Sequence, residues 1–388
     1  MSFAARTHTL KPEGAYHVLA RAQELEAQGR KIIHLEIGQP DFETLEPIRS
    51  AGIQAIEAGR TRYNPPAGIP DLRSAIASDA GRRRGLEFSP EQVVVSPGAK
   101  PNLFFPVLAL IEPGDEVLYP DPGFPTYLAM IDVAGGTPVP VPLDEQRGFS
   151  FDMAALERLI GPQTKLIVLN SPGNPTGGVI SQIDLQRISD AARENDCWVM
   201  SDEIYSRLHY LDGDLPSIIT LPGMLERTIL VDGFSKTYAM TGWRLGYGIM
   251  PVELAERVSL LLTHSIGCTA HFTQYAGLEA ITGSQDEVEE MVSEYRARRD
   301  LLIEGLNSIP GVRCAEPQGA FYAFPNISSF GLPSSELSDR ILNEAGVALL
   351  PGTSFGVNGE GYLRLSYAND LENLREAIDR LGSFFAAV

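Results

Sequence analysis

Short apolar segments alternate with helical patterns along most of this chain. Runs rich in Val and Ile, of the length expected for buried strands, occur at 93–95, 116–119, 165–169, 198–200 and 228–231. Apolar positions with helical spacing lie between these runs, for example at 71–84, 184–195 and 252–262. This alternation predicts an α/β fold, in which helices flank both faces of a mostly parallel sheet.

Polar clusters follow the predicted strands. They read SPGAK (96–100), YPDPGFP (119–125), NSPGNPTGG (170–178), SDEIY (201–205) and DGFSK (232–236). In open α/β sheets, ligands bind outside the carboxyl ends of the strands. We therefore expect these clusters to form one composite site.

The pattern changes after about residue 284, where a long charged helix is predicted at 286–308. Strands are then predicted at 319–324 and 362–367, and helices at 334–345 and 371–384. We interpret residues 14–45 and 285–388 as a smaller α+β domain, residues 46–284 as the large domain, and residues 1–13 as an N-terminal arm.

Composition and charge exclude several classes of function. The 388 residues carry a formal net charge of −19, which disfavours binding to a nucleic-acid backbone. No apolar run approaches the roughly 20 residues of a membrane span, and the first residues do not resemble a secretory signal, so we expect a cytoplasmic protein. The 3 cysteines, Cys197, Cys268 and Cys314, form no CxxC pair, and no metal-binding motif is present.

Lys236 and Arg244 are residues whose types indicate chemistry. Lys236 follows the predicted strand at 228–231, and a lysine there becomes a nucleophile once desolvation lowers its pKa. Arg244 offers a planar fork suited to a phosphate dianion. A solvated surface pair is the alternative interpretation of these two residues. Asp202 is a candidate buried carboxylate, and a helix N-cap is the alternative for it.

The segment SKTYAMTGWRLGY (235–247) resembles the cofactor-lysine signature of the class I/II aminotransferases, which are pyridoxal-phosphate enzymes of fold type I. The resemblance runs almost from end to end, through IGQPDF (37–42), YNPPAGIPDLR (63–73), SPGAK, NSPGNPTGG, SDEIY and YLRLSYA (362–368). These motifs are most similar to those of bacterial aspartate aminotransferase-like members. The resemblance implies a large domain with a seven-stranded type of sheet, pyridoxal 5'-phosphate as cofactor, and a homodimer.

Catalytic roles for three residues follow from the resemblance. Lys236 would carry the cofactor and move protons, Asp202 would face the pyridine nitrogen, and Tyr205 would donate to the phenolic oxygen. The family often has Ser where this chain has Gly233, so one phosphate hydrogen bond is missing or made by water. Further cofactor contacts are implied for Gly98, Ala99, Lys100, Phe124, Asn174, Ser235, Arg244 and, from the neighbouring subunit of the dimer, Tyr63. A turn tyrosine packed on prolines is the alternative for Tyr63, and a core phenylalanine is the alternative for Phe124.

Substrate binding is implied for Arg364, which would grip the α-carboxylate, together with Gly38 and Asn174. Lys100 stands where some relatives place a lysine for a distal carboxylate, which favours L-aspartate and L-glutamate with 2-oxoglutarate, in ping-pong transamination. Tyr16 departs from those relatives and could narrow the pocket. Transamination of alanine or of aromatic amino acids, and β-elimination from a cysteine conjugate, are therefore the alternatives.

Overall fold

The computed structural model describes residues 3–8, 10, 12 and 14–388. Residues 1, 2, 9, 11 and 13 of the predicted arm lie outside the described residues. The strands, in chain order, are β1 Ile33–His34, β2 Val93–Ser96, β3 Glu116–Asp121, β4 Thr137–Asp144, β5 Ser150–Phe151, β6 Thr164–Asn170, β7 Trp198–Asp202, β8 Thr228–Gly233, β9 Gly246–Ile249, β10 Tyr322–Ala323, β11 Val347–Ala348, β12 Leu350–Pro351 and β13 Leu363–Ser366.

The helices alternate with the strands through the first two thirds of the chain. In chain order they are α1 Gly14–Ala27, α2 Glu46–Glu57, α3 Pro70–Arg84, α4 Lys100–Leu110, α5 Thr126–Ala134, α6 Met153–Leu159, α7 Gln182–Glu194, α8 Val252–Ser265, α9 His271–Thr282, α10 Asp286–Ser308, α11 Ser334–Arg340 and α12 Leu371–Phe385. Within the described residues, no helix is both long and apolar enough to cross a membrane.

The main sheet has eight strands in the described part of the chain, in the order β2-β9-β8-β7-β6-β3-β4-β5. Strands β4, β3, β6, β7 and β8 are parallel neighbours, whereas β9 is antiparallel to β8 and β2. The mostly parallel α/β fold is therefore confirmed. The expected number of seven strands is exceeded by one, because the two residues of β5 add a short antiparallel edge to β4.

Alternate side chains of the strands pack against different helices. Val93 and Val95 of β2 belong to a core cluster with residues of α3 and α9, whereas Val94 belongs to one with residues of α4 and α8. In the same way, β6 divides its side chains between two core clusters. A strand buried on both faces is apolar at consecutive positions, which explains why the Val- and Ile-rich runs predicted these strands.

The C-terminal part forms two small sheets. β10, β13 and β12 form an antiparallel sheet, and β1 pairs in parallel with β11. The predicted strand at 319–324 is reduced to Tyr322–Ala323, and the predicted helix at 334–345 ends as α-helix at Arg340 and continues as a π-helical turn. The proposed domain boundaries at 13/14, 45/46 and 284/285 stay predictions.

β9 passes directly against the loop between β2 and α4, and this close approach requires a glycine. A Cβ atom added to Gly246 would lie 2.4 Å from the Ala99 nitrogen and 2.5 Å from the Gly98 carbonyl carbon. These are backbone atoms, which cannot rotate away. The loop that follows β2 is therefore fixed by the sheet itself.

We predict that Gly246→Ala lowers thermal stability, since the overpacking costs about 1–3 kcal/mol. Gly161→Ala is the control, because a Cβ atom there meets nothing within 4 Å. Melting temperatures from calorimetry should fall by several degrees for Gly246→Ala and stay close to wild type for Gly161→Ala. Equal melting temperatures for the two variants would contradict the close approach.

Candidate active site

Lys236 lies after β8, at the carboxyl edge of the main sheet. Its Nζ donates a hydrogen bond to the carbonyl oxygen of Gly38 and lies 5.6 Å from the centroid of the Phe321 ring and 6.0 Å from that of Tyr205. Desolvation by burial lowers the pKa of the Lys236 amine to about 8, and the positive charges of Arg364, Arg244 and Lys100 add to this effect. A surface pair with Arg244 is therefore the wrong interpretation of this lysine.

Asp202 ends β7 and is only 4% exposed. Its Oδ2 accepts a hydrogen bond from the Tyr127 hydroxyl at 2.7 Å, and its Oδ1 accepts one from the Ile204 N–H at 3.2 Å. Burial raises the pKa of Asp202 to about 6 against these two hydrogen bonds. No helix follows the strand here, so Asp202 is not a helix N-cap.

The buried carboxylate of Asp202 forms no ion pair among the described residues and interacts with the Lys236 amine only at longer range. An ionised carboxylate in such a place is costly unless a cation pairs with it. The arrangement is therefore suited to a ligand with a positively charged nitrogen, such as a protonated pyridine ring.

Tyr205 and Tyr322 form a buried pair of hydroxyl groups 2.8 Å apart. Burial raises the pKa of Tyr205 well above its ordinary value, so the hydroxyl keeps its proton. Gly38 lies against this pair, since a Cβ atom added there would be 2.2 Å from the Tyr322 oxygen. The sequence motifs led to Tyr205 and Gly38, but Tyr322 was not predicted.

Arg364 of β13 joins this group from the small antiparallel sheet. Its Nη1 donates to Asn174 Oδ1 at 3.3 Å, and its Nη2 donates to the carbonyl oxygen of Glu36. The guanidinium carbon lies 4.6 Å from the centroid of the Tyr322 ring and 5.0 Å from that of Phe355. Two aromatic rings and two acceptors thus hold the arginine in a single orientation.

Asn174 lies in a loop that is tied to Asp202. The Asn174 N–H donates to Asn170 Oδ1 at 2.8 Å, and the side chain of Asn170 donates to the Asp202 carbonyl at 3.0 Å. The peptide bond between Asn174 and Pro175 is cis. The two strand ends therefore share one hydrogen-bonded network.

The loop before α4 lies beside Arg244. Gly98 has a φ of +81°, and a Cβ atom there would be 2.3 Å from Arg244 Nη2. The Ser96 hydroxyl donates to the Gly98 carbonyl at 2.6 Å, and Ala99 is the cap residue of α4. A helix N-terminus beside an arginine favours a bound anion.

Ser235 is buried next to Lys236. The family's serine is absent at Gly233, where a Cβ atom would lie 3.1 Å from Gly246 Cα and 3.1 Å from a carbon of the Ile204 side chain. A side chain at this position would be crowded, which accounts for the glycine.

Lys100 and Phe124 meet at the next strand end. Lys100 Nζ lies 5.2 Å from the centroid of the Phe124 ring, and this ring packs edge-on against Tyr127 at 5.8 Å. Tyr127 follows Phe124 by three residues in the motif DPGFPTY, and this spacing could have identified it. Phe124 is partly buried and packs against the core cluster that contains Tyr127.

Tyr16 and Tyr63 differ from the other predicted site residues in their exposure. Tyr16, on α1, is 67% exposed, and Tyr63, before α3, is 96% exposed. The chain alone therefore does not enclose either aromatic ring.

The site brings a desolvated lysine together with a cluster of cationic groups and a buried carboxylate at the carboxyl edge of the sheet, where ligands bind in open α/β folds. Residues 30–381 match the family model for aminotransferase class I and II. The chain belongs to this family, and it is an aminotransferase.

Individual relatives agree with this assignment. The chain is 41% identical over 361 residues to an aspartate aminotransferase of Pyrococcus abyssi, which covers 92% of each chain. Its structure is similar to that of the aspartate aminotransferase of Thermus thermophilus with maleate, with a TM-score of 0.94, 39% identity and 99% of each chain covered. It is also similar to an alanine aminotransferase of Pyrococcus furiosus, with a TM-score of 0.95, 33% identity and 100% of each chain covered.

We predict that Tyr127→Phe destabilises the protein more at alkaline than at acidic pH. Because the folded-state pKa of Asp202 is raised, stability is lost as pH rises from the ordinary carboxyl pKa to about 6. Without the Tyr127 hydrogen bond this pKa rises further, and the loss continues to higher pH. We expect about 2 kcal/mol near pH 8, typical of a hydrogen bond to a charged group, and less near pH 5.

Melting curves of the cofactor-free protein at the two pH values would measure this difference. Tyr119→Phe, in β3, is the matched control, since its hydroxyl is half-buried and makes no contact with Asp202. A loss in Tyr127→Phe that is the same at both pH values would contradict the role given to the hydrogen bond.

Proposed function

We propose that this aminotransferase uses pyridoxal 5'-phosphate, held by Lys236, to transfer the amino group of L-aspartate or L-glutamate, with 2-oxoglutarate as acceptor. The observation that carries the proposal is the pairing of a lysine whose pKa is lowered to about 8 with a buried carboxylate that lacks a cation. A ring that carries an aldehyde and a protonated nitrogen would explain both features if it bound between the lysine and the carboxylate.

The residues present fit the proposed cofactor. Asp202 would pair with the ring nitrogen, and Tyr205 and Asn174 would donate to the phenolic oxygen. Phe124 would cover the ring face. The phosphate would be held by Ser235, Arg244 and the backbone N–H groups of Gly98, Ala99 and Lys100. Bound there, pyridoxal phosphate supplies an electron-accepting ring that stabilises the negative charge left when the substrate Cα–H bond is broken.

Lys236 is the proposed base for the proton at the substrate Cα. With a pKa of about 8, the amine exists in both protonation states near neutral pH, so it can accept a proton and return it. Arg364 would bind the α-carboxylate through its planar fork, and Gly38 would complete that contact with its backbone. The aromatic rings on either side of the arginine fix the direction from which the substrate approaches, which favours a reactive orientation.

Both substrates would use this site in turn. The amino donor leaves as an oxo acid before the acceptor enters, which gives ping-pong kinetics. Since both bear an α-carboxylate, the same arginine serves each of them.

Lys100 is the proposed partner of a distal carboxylate. Its ammonium group is near Phe124 and close enough to Lys236 to influence the pKa of that residue. The similarity to aspartate aminotransferases supports a dicarboxylic substrate. Transamination of alanine or of aromatic substrates is the second candidate, because Tyr16 is exposed on α1 and because one structural relative is an alanine aminotransferase. A β-lyase on the same fold is the third.

A homodimer is part of the proposal. Tyr63 is 96% exposed beside a surface that includes Arg62, Asn64 and His271, and a tyrosine so placed is available to a neighbouring subunit. We also retain a cytoplasmic location and the division into an arm (1–13), a small domain (14–45 and 285–388) and a large domain (46–284) as proposals.

We predict that single amino acids, added without an oxo acid, bleach the visible absorbance band of the protein loaded with pyridoxal phosphate. Aspartate or glutamate should act fastest. Lys236→Ala should bind the cofactor and bleach at least about a hundred-fold more slowly, because general-base catalysis is lost. Lys31→Ala, which changes an exposed lysine paired with Glu376, is the control. Normal bleaching by Lys236→Ala would refute the assignment.

We also predict that Lys100→Ala impairs dicarboxylic substrates selectively. Loss of one charge-assisted hydrogen bond should lower kcat/KM for aspartate by roughly ten- to a hundred-fold. For alanine the same variant should lose clearly less of its kcat/KM, since no distal carboxylate is present and only the change in charge near Lys236 remains. Steady-state kinetics with both donors would test this, and an equal loss for the two would remove Lys100 from the specificity site.

A further inference from the structure

His34 and Glu36 form a partly buried ion pair in the segment that leads to the proposed substrate site. Glu36 is fully buried, and its Oε1 lies 2.8 Å from His34 Nδ1. The other ring nitrogen of His34 lies 3.1 Å from Glu26 Oε1 of α1. The second oxygen of Glu36, Oε2, has no hydrogen-bond partner among the described residues. The imidazole is therefore the main support of a carboxylate that is removed from water.

The main chain of Glu36 is part of the proposed carboxylate site. Its carbonyl oxygen accepts a hydrogen bond from Arg364 Nη2, and two residues later the Gly38 carbonyl accepts one from Lys236 Nζ. The preceding residue is fixed on both sides, since the Leu35 N–H donates to Ala348 at 2.9 Å and the Leu35 carbonyl accepts from the Ser366 N–H at 2.8 Å. The Glu36 side chain, held by His34, is thus anchored next to the main-chain carbonyl that contacts Arg364.

The proton on His34 strengthens this support. The hydrogen bond to Glu36 raises the pKa of His34 to about 9, although burial opposes the shift, and Glu26 adds to it. Glu26 from α1 and Glu36 are the charged groups that face the imidazole. The neighbouring strand β11 brings only Val347 and Ala348, and the Asn369 side chain donates to the His34 carbonyl at 3.1 Å. The imidazole is therefore charged at neutral pH.

We propose that His34 and Glu36 are positioning residues for the substrate carboxylate. Their ion pair holds the Glu36 carbonyl group against Arg364, and loss of the His34 proton weakens carboxylate binding. This inference rests on the proposed function, because it takes Arg364 as the residue that binds the α-carboxylate. Neither side chain touches the substrate, so both act through the main chain and Arg364.

The direction of the pH effect follows from the raised pKa of His34. A histidine whose pKa is higher in the folded state contributes stability that is complete below its ordinary pKa, near 6.5, and is lost as pH rises through about 9. Positioning of Arg364 should be lost over the same interval. Without the proton, Glu36 is a buried carboxylate with only a neutral donor beside it, and its environment must rearrange.

Binding of an unreactive dicarboxylate can test this. The dissociation constant of maleate would be measured by calorimetry on the full chain loaded with pyridoxal phosphate. The variants are His34→Asn, which keeps a neutral donor toward Glu36, Glu36→Gln, and the control His264→Asn, which changes an exposed histidine near the end of α8. The dissociation constant of each variant would be divided by that of the wild type at the same pH, because titrations that the two proteins share cancel in this ratio.

We expect ratios of roughly five to ten for His34→Asn and Glu36→Gln near pH 7, which correspond to the loss of one charge-assisted contact. For His34→Asn the ratio should fall toward one near pH 10, where the wild type has also lost the proton. His264→Asn should give a ratio near one throughout. A ratio for His34→Asn that is one at all pH values, or that is raised by the same factor at all of them, would overturn the proposal.

Two further comparisons distinguish failure of this proposal from a variant that does not fold and from failure of the proposed substrate. If Glu36→Gln fails to fold, His34→Asn still decides, since its side chain is partly exposed. The same ratios would be measured with 3-phenylpropionate, which has one carboxylate. If maleate binds no more tightly than 3-phenylpropionate, the dicarboxylic assignment fails, while the pH dependence of the ratios still decides the role of His34.

Discussion

Burial of the Asp202 carboxylate at the end of β7 is the constraint on which the site depends. The protein supplies two hydrogen bonds to this carboxylate, from Tyr127 and from the main chain of Ile204, and the pKa is raised in spite of them. Tyr127 comes from α5, so this helix must pack closely on the sheet. The carbonyl of the same aspartate receives the side chain of Asn170, which in turn orients Asn174. The hydrogen bonds around the buried Asp202 thus connect the end of β7 with the end of β6 and with α5.

The sheet was predictable wherever both faces of a strand are covered. β4 was missed because its sequence, TPVPVPLD, alternates proline with valine, and proline is unusual within a sheet. The structure explains the pattern. The Thr137 N–H donates to Asp115 on the β3 side, whereas the Pro142 carbonyl accepts from Asp152 on the opposite side. The backbone nitrogen atoms of the prolines therefore lie on the edge of β4 away from β3. Over most of the strand this edge has no neighbouring strand in the described part of the chain, so no N–H donor is required there. β9, with the sequence GYGI, was missed because glycine carries no β-strand signal.

The site was predictable to the extent that its residues follow strands of the main sheet or lie in family motifs. The polar clusters after the predicted strands were sufficient to identify Asp202, Tyr205, Lys236 and the loop at 96–100 as candidate site residues. Tyr322 lies in β10, a strand of two residues outside the main sheet, and Glu36 lies in the loop after β1, which is equally short. The ends of the main-sheet strands could therefore not identify either residue. Their importance arises from contacts with Tyr205 and Arg364, which are far away in the chain. Tyr16 and Tyr63 are exposed in the single chain. The roles proposed for them therefore require contacts with a substrate or with a neighbouring subunit.

Charge distribution connects substrate choice with the chemistry of Lys236. The chain is strongly acidic, yet Lys100, Arg244 and Arg364 lie close enough to Lys236 for their charges to add to the lowering of its pKa by burial. The same three cations are suited to attract the proposed phosphate and the carboxylates of a substrate. Each bound anion offsets part of the positive potential, so occupancy of the site raises the proton affinity of the lysine amine relative to the empty site. With anionic ligands in place, a proton on the Lys236 amine is therefore held more firmly than in the empty site. The proposed exchange of a proton with the substrate Cα would thus take place at an amine whose proton affinity depends on the anions bound around it.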